Sequence, residues 1–352
     1  MGFSAHLIFN PAAGSAAALQ GSLTGTARER GIRVRLLEPG QGMRLAALAA
    51  VEDGAESLAV AGGDGSVAAV ATVAVERDLP LVVVPMGTLN HFARDLGLDL
   101  AHPLSALDAF YGGREERRVD VGRINGRLFI NNVSLGVYAQ MLGDSGYRQD
   151  KLGVAQTKLQ AAFKRRFDPE QRRALRITPP GGAPLESVVA MVVSNNPYEF
   201  ARWDRLGQRH RLDTGMLQVS VLDAGSLEEL ERLLAGTLPS AIEFRPAVRH
   251  WTSERLEMGV PGEVVQTGVD GEPISFEAPL RFSVDPGALR VLVPEGLPAD
   301  RQVPPLEAGL RAVRTLRSWL SPALAVQESG SDDPDSRMSP DIVGPRRPEG
   351  GQ

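Results

Sequence analysis

Cysteine is absent from the 352 residues, which removes disulfides, thiolate nucleophiles, iron–sulfur clusters and Cys-ligated zinc together and points to a reducing compartment. Histidine is scarce, dispersed at His6, His91, His102, His210 and His250, so a His-rich metal centre is not expected. Lysine occurs only at Lys151, Lys158 and Lys164. None of these stands in a Gly-Lys-Ser/Thr run, which excludes a Walker-type ATPase. No run reaches about 18 apolar residues, and the N-terminus MGFSAHLIFNPAAG lacks a basic stretch followed by a sustained apolar one. The expected address is therefore cytoplasmic, with membrane contact at most peripheral. A net charge of -5 excludes a polycation, so no nucleic-acid partner is expected and any affinity for anions must be local.

What is present is an ordinary globular composition, 43% hydrophobic and 23% charged, long enough for about two domains. From residue 5 to about 110, short apolar runs alternate with Ala/Leu-rich stretches. That is the pattern of βαβ units around a parallel sheet. Strands are expected at Ala5 to Phe9, Ile32 to Leu37, Ser57 to Ala61 and Leu81 to Val84, with helices at 16–30, 42–53, 66–77, 90–96 and 103–111. The first domain, 1–116, is thus an α/β unit with an open parallel sheet.

From about 117 the pattern changes to alternation with turn signals, including Asn125-Gly126, the dipeptide that a type I′ hairpin prefers. Further short strands are expected at 187–194, 216–222, 256–260, 264–269, 280–284 and 289–293. Their spacing predicts a mainly antiparallel β-sandwich second domain over 117–294. Within it, 148–176 carries nine basic residues against three acidic ones, read as a basic helical insertion. Its two readings are a solvated helical face and a contact with anionic headgroups. Leu306, Leu310, Val313, Leu316 and Leu320 fall at helical spacing, so one amphipathic helix is expected at 305–321, packing on the first domain. The stretch 327–352 has few large apolar residues and is expected to be disordered.

Three loops of the first domain each leave a strand and enter a helix, where an open parallel sheet binds its ligands. The first is NPAAGS, with Asn10, Pro11 and Gly14. The second is AGGDGSVAAV, in which Gly62, Gly63 and Gly65 let backbone N–H groups wrap an anion and Ser66 adds a hydroxyl at a helix start. Its Asp64 would put a carboxylate beside a phosphate bound there, which suits Mg²⁺ or a hydroxyl to be deprotonated. The third is VPMGTLNHFARDLGL, with Gly87, Thr88 and Asn90. A dinucleotide fingerprint fits Gly63, Gly65 and Ala68, yet the acidic residue it needs about 20 positions on is replaced by Val83, Val84 and Pro85. A nicotinamide enzyme is disfavoured.

NPAAG, GGDGS and PMGTLNHFARDLG, in this order and spacing, resemble the diacylglycerol-kinase catalytic family, the bacterial lipid kinases related to sphingosine kinases and more distantly to NAD kinases. The resemblance covers roughly residues 3–295 and continues in FINNVSLGVYAQ, VVSNNPYEF, RLDTGMLQVSVLD and VDGEP. It implies ATP and Mg²⁺, with the nucleotide held by Asn10, Pro11, Gly14, Gly62, Gly63, Asp64, Gly65, Ser66, Gly87, Thr88 and Asn90. It places Asp64 by the phosphates, acting as a loop acid with little part in the core. Asp270 and Glu272, in VDGEP, become candidates for the base, and Glu272 is the preferred one. Asp213 corresponds to one carboxylate of a structural Mg²⁺ site whose second carboxylate is replaced here by Thr214. Likewise Ala68-Ala69 stand where the family often has Asn-Glu, and Leu37 where a Thr is common.

The resemblance implies a lipid substrate, diacylglycerol-like or sphingoid, and peripheral docking on an anionic membrane. A homodimer is among the assembly states left open. Two other readings stand beside the lipid kinase: an NAD-kinase-like enzyme with a soluble acceptor, and a nucleotide- or lipid-binding protein with little turnover.

Overall fold

The computed structural model describes residues 4–11, 16–38, 40–110, 114–136, 177–185, 188–198, 209–223 and 248–297. Gly14, the basic stretch 148–176, the helix expected at 305–321 and the tail 327–352 lie outside the described residues. The chain begins with β1 (Ala5–Phe9), α1 (Ala16–Glu29), β2 (Arg33–Leu36), α2 (Met43–Glu52), β3 (Ser57–Gly62), α3 (Asp64–Glu76), β4 (Leu81–Pro85) and α4 (His91–Asp95), followed by a 3-10 helix, Pro103–Phe110. β1 is parallel to β2 and β3, and β3 to β4. Every residue of β1, β3 and β4 is buried. Strands covered on both faces need apolar residues on both, which is why AHLIF, SLAVAG and LVVVP show no alternation.

Next come β5 (Arg114–Ile124), β6 (Arg127–Phe129), β7 (Asn132–Gly136), β8 (Val188–Asn195), β9 (Leu217–Asp223), β10 (Val248–Ser253), β11 (Arg255–Met258), β12 (Val264–Val269), β13 (Glu272–Glu277) and β14 (Leu280–Pro294). They divide between two sheets. The first has the order β2-β1-β3-β4-β14-β5-β6, with β11 also on β14; the second is β10-β9-β8-β7-β12-β13. The first sheet is mixed, because β14 runs parallel to β4 but antiparallel to β5. The second is antiparallel throughout. Asn125 and Gly126 turn β5 into β6 with φ of 45° and 84°, as a type I′ turn requires.

Three details differ from the expected pattern. The short strands at 280–284 and 289–293 are one strand, β14, with a register shift between Asp285 and Leu289. Pro286 and Gly287 make the interruption, and Asp120 of β5 holds it by accepting the Gly287 N–H at 2.8 Å. β10 was not expected, since VRHWTS mixes charge with apolar residues as an edge strand does. β13 begins directly after the Asp270-Gly271 turn.

The hydrophobic core has two parts. One underlies the parallel sheet. In the other, Ile124, Phe129, Leu280 and Phe282 of the first sheet pack with Val133, Met191, Val193, Leu217 and Val219 of the second. The sandwich therefore takes one layer from the antiparallel arm of the first sheet.

Candidate active site

Asn10 and Pro11 follow β1, the neighbour of β3, so they lie at the sheet edge where β3 and β4 also end. Gly62 pairs with Pro85 there, and the two following loops touch. A Cβ at Gly62 would lie 2.7 Å from Ser66 Cβ and 2.8 Å from Ser66 Oγ, so Ser66 folds back over the strand end. Gly63 and Gly87 meet backbone to backbone. A Cβ at Gly87 would fall 3.0 Å from Gly63 N, 2.9 Å from Asn90 Oδ1 and closer still to Gly63 Cα. Gly87→Ala is therefore expected to cost about 1–3 kcal/mol as overpacking against backbone that cannot yield. The check is the melting midpoint; an unchanged midpoint would mean that these loops do not touch.

Asn90, at φ 50°, spends its side chain on the loop. Its Oδ1 accepts the Gly87 N–H at 2.8 Å and its Nδ2 donates to Gly87 O at 2.7 Å. It shapes the Gly87 turn. Thr88 is exposed and stands free of that reciprocal pair.

Asp64 is not a loop acid with little part in the fold. Its Oδ1 accepts from Phe92 N at 3.0 Å and Asn131 Nδ2 at 3.1 Å, and its Oδ2 from His91 N at 3.1 Å. The carboxylate thus takes two of the N–H groups that α4 leaves unpaired at its start. His91 beside it is held below its ordinary pKa, mainly by burial. Asn131, between β6 and β7, connects this loop to the second sheet. Its own N–H donates to Asp270 Oδ1 at 2.8 Å, while Ile130 N and Asn132 N also donate to Asp270 at 2.9 and 3.1 Å.

Asp270 and Glu272 flank the β12–β13 turn and point to different places. Asp270, at φ 48°, is turned inward and its pKa is pushed up to about 6, chiefly by burial, with the three backbone N–H groups opposing the shift. Glu272 turns outward with a side chain 56% exposed, and its carboxylate lies 3.5 Å from Arg127 Nη2. A Cβ at Gly65 would fall 2.7 Å from Glu272 Oε1, so Glu272 leans over the GGDG loop. The site therefore contains a braced, half-buried carboxylate at Asp270 and a solvent-facing one, Glu272, within reach of Gly65.

The raised pKa of Asp270 has a consequence for stability. Between its ordinary value of 3.8 and about 6 the folded state holds a proton that the unfolded state has released. Stability from this group is therefore full at lower pH and declines as pH rises through about 6. Burial lowers the pKa of His6, which works in the opposite direction, so the comparison must isolate Asp270. The difference in unfolding free energy between wild type and Asp270→Asn is expected to change between pH 4 and pH 7, by about 3 kcal/mol at most, as two pKa units imply. A pH-independent difference in urea titrations would show that the Asp270 pKa is not raised in the folded state.

The structure places Asp213 beside a guanidinium. Its carboxylate is paired with Arg211 at 2.9 and 3.2 Å, and its side chain is 52% exposed. Thr214 Oγ1 donates to Asn196 Oδ1 at 2.7 Å, and Gly215 N donates to Asp120 Oδ2 at 2.7 Å. Hydrogen bonds and a guanidinium already hold this turn. No cluster of three or more His, Cys, Asp or Glu side chains suited to a metal ion occurs among the described residues. Of the DTG turn, Asp213 alone offers a carboxylate, and Thr214 is engaged with Asn196.

Sequence reasoning missed Asn131, Asp95 and Arg209. Asn131 lies within the FINN segment, but nothing in its neighbours signals that it bridges two acids. The Arg209 side chain is fully buried and ion-paired with Asp95 of α4 at 2.6 Å. Burial, the largest single influence, disfavours the Arg209 cation, but Asp95, Tyr198 and Asp270 together outweigh it and the guanidinium is held above its ordinary pKa.

Comparison with known proteins agrees with this architecture. A sequence profile described as the diacylglycerol kinase catalytic domain matches residues 4–124. A Pseudomonas fluorescens protein named "Probable lipid kinase YegS-like" is 31% identical over 280 residues, covering 76% of this chain and 87% of its own. A Pseudomonas aeruginosa protein of the same name is 31% identical over 286 residues, covering 79% and 89%. In fold, the chain is similar to the crystal structure of a diacylglycerol kinase from Bacillus anthracis, with a TM-score of 0.58, 17% identity, and coverage of 84% of this chain and 99% of that one. With two relatives above 30% identity along most of their length, and a family profile on the glycine-loop half, the chain belongs to the diacylglycerol kinase catalytic domain family.

Proposed function

We propose that this protein is a lipid kinase that transfers the γ-phosphoryl group of Mg-ATP to a hydroxyl of a membrane lipid, with a diacylglycerol the first acceptor and a sphingoid base the next. The observation that carries the reading is that Glu272 reaches Gly65 and Asn131 ties Asp270 to Asp64 beside the touching Gly63 and Gly87 backbones. Loop N–H groups at the start of α3 suit phosphate oxygens, and Mg²⁺ enters with the nucleotide as part of the substrate. The lipid oxygen attacks the γ-phosphorus, its proton passes to the Glu272 carboxylate, and the bond to the β-phosphate oxygen breaks with its electron pair leaving on ADP. Asp270, already engaged by three N–H groups, fixes the turn from which Glu272 reaches. Catalysis is then positioning plus electrostatics.

In this reading the basic stretch 148–176 docks on anionic headgroups, where each Lys or Arg contributes about 1 kcal/mol. Among the described residues no helix is long and apolar enough to cross a membrane. The test is incubation with labelled ATP and Mg²⁺ against a panel of diacylglycerols, sphingoid bases and NAD, with chromatography of the products. Labelled lipid supports the proposal. Labelled NAD would replace it with the soluble-acceptor reading, and nucleotide binding without product would leave a binding protein.

A further inference from the structure

Among the described residues, Arg209 is the buried Arg that the transfer step leaves without a task, and its donors are fully committed. Nε donates to Asp95 Oδ2 at 2.7 Å, and Nη1 donates to Ile130 O at 2.7 Å and Asn195 O at 2.9 Å. Nη2 donates to Asn131 Oδ1 at 2.6 Å. The guanidinium also lies over the Tyr198 ring, 5.7 Å from its centroid. An Asn side chain has an accepting end and a donating end. With Oδ1 taken by Arg209, Asn131 must present Nδ2 to Asp64, as observed. The contacts close a ring: Asp64 holds the start of α4, Asp95 of α4 holds Arg209, Arg209 orients Asn131, and Asn131 returns to Asp64.

Such a pair is a poor device for stability alone. The cost of desolvating both charges largely offsets their attraction, and apolar replacements of similar volume are often as stable. What a planar guanidinium supplies and an apolar side chain cannot is direction toward four acceptors on three segments at once. We propose that Arg209 is a positioning residue, which fixes the Asn131 amide and through it the spacing between the GGDG loop and the Asp270–Glu272 turn. The kinetic part of this inference rests on the lipid-kinase reading.

Two measurements on the full chain test it. Lys at 209 keeps the charge but cannot reach Asp95, Asn131 and both carbonyls together. In wild type the Asn131 side-chain NH₂ protons should exchange slowly with solvent, and Arg209→Lys should accelerate that exchange by about tenfold or more, as expected when a buried hydrogen bond opens locally. With phosphoryl transfer as readout, Arg209→Lys should lower kcat by about tenfold or more with the KM for ATP within about threefold of wild type. In an Asn131→Ala background the same change should alter kcat by less than about twofold, since the two residues act as one unit.

Unchanged Asn131 exchange, a folded Arg209→Lys variant with normal kcat, or additive losses in the double variant would each overturn the proposal. If Arg209→Lys does not fold, Asn131→Asp takes its place, because it keeps an acceptor for Arg209 and sets an oxygen against Asp64. It should lower kcat by about tenfold or more, and full activity would overturn the proposal. Absence of transfer to any lipid by wild type would sink the kinase reading alone, as the exchange comparison still decides the role of Arg209.

Discussion

Asp64→Asn is expected to cut phosphoryl transfer by about 10²-fold or more and to lower the melting midpoint as well. The second effect follows from what the carboxylate touches. His91 N reaches one oxygen, and Phe92 N and Asn131 Nδ2 share the other. An amide must turn its NH₂ toward one of these donors, leaving at least one buried N–H without an acceptor at a cost of about 1–3 kcal/mol. The start of α4 then loses its anionic cap, and the bond from Asn131 Nδ2 goes to a neutral oxygen in place of a carboxylate. Transfer rates at a temperature well below the variant's own midpoint separate the two effects. Normal melting together with near-normal turnover would show that Asp64 neither braces α4 nor serves the reaction.

Glu272→Gln is expected to lower kcat by about 10²–10⁴-fold, the usual contribution of a general base, with little change in the KM for ATP or in melting. The side chain is more than half exposed, and its Arg127 partner at 3.5 Å is itself exposed, so the fold does not depend on it. Such a pair is worth about 1 kcal/mol or less. Asp270→Asn should behave differently. Its carboxylate receives three backbone N–H groups at the β6–β7 corner, so the substitution should disturb both kcat and KM while also destabilising the corner. Steady-state kinetics on the two variants decide the matter. A large loss confined to kcat in Asp270→Asn, with Glu272→Gln affecting both constants, would exchange the two roles. Full activity in both would leave Asp64 as the base.

The omissions at Asn131 and Arg209 have one origin. Each depends on a partner that no local pattern reveals. Asp213 is a different case, since the family resemblance marks its DTG as a metal turn while Arg211, two residues before it, is the partner its carboxylate meets. A guanidinium that is fully buried cannot be told from an exposed one by a segment reading RHRLD. β10 escaped notice because an edge strand need not alternate cleanly, and β14 was divided because Pro286-Gly287 reads as a strand break although Asp120 spans the gap.

By itself the sequence determined the parallel half of the molecule and the positions of its glycine loops. Strands buried on both faces must be continuously apolar, and loops that approach one another backbone to backbone must be glycine, so both leave local marks in AHLIF, SLAVAG, LVVVP, GGDG and PMG. It also brought the VDGEP segment forward through the family resemblance. Only the tertiary structure decided that the antiparallel arm of the first sheet supplies one layer of the sandwich, that Asp64 caps α4, and that Asp270 faces inward while Glu272 leans over Gly65. Those outcomes rest on hydrogen bonds and ion pairs between segments far apart in the chain. Their partners are chosen by how the two sheets close on each other, a property that no window of neighbouring residues contains.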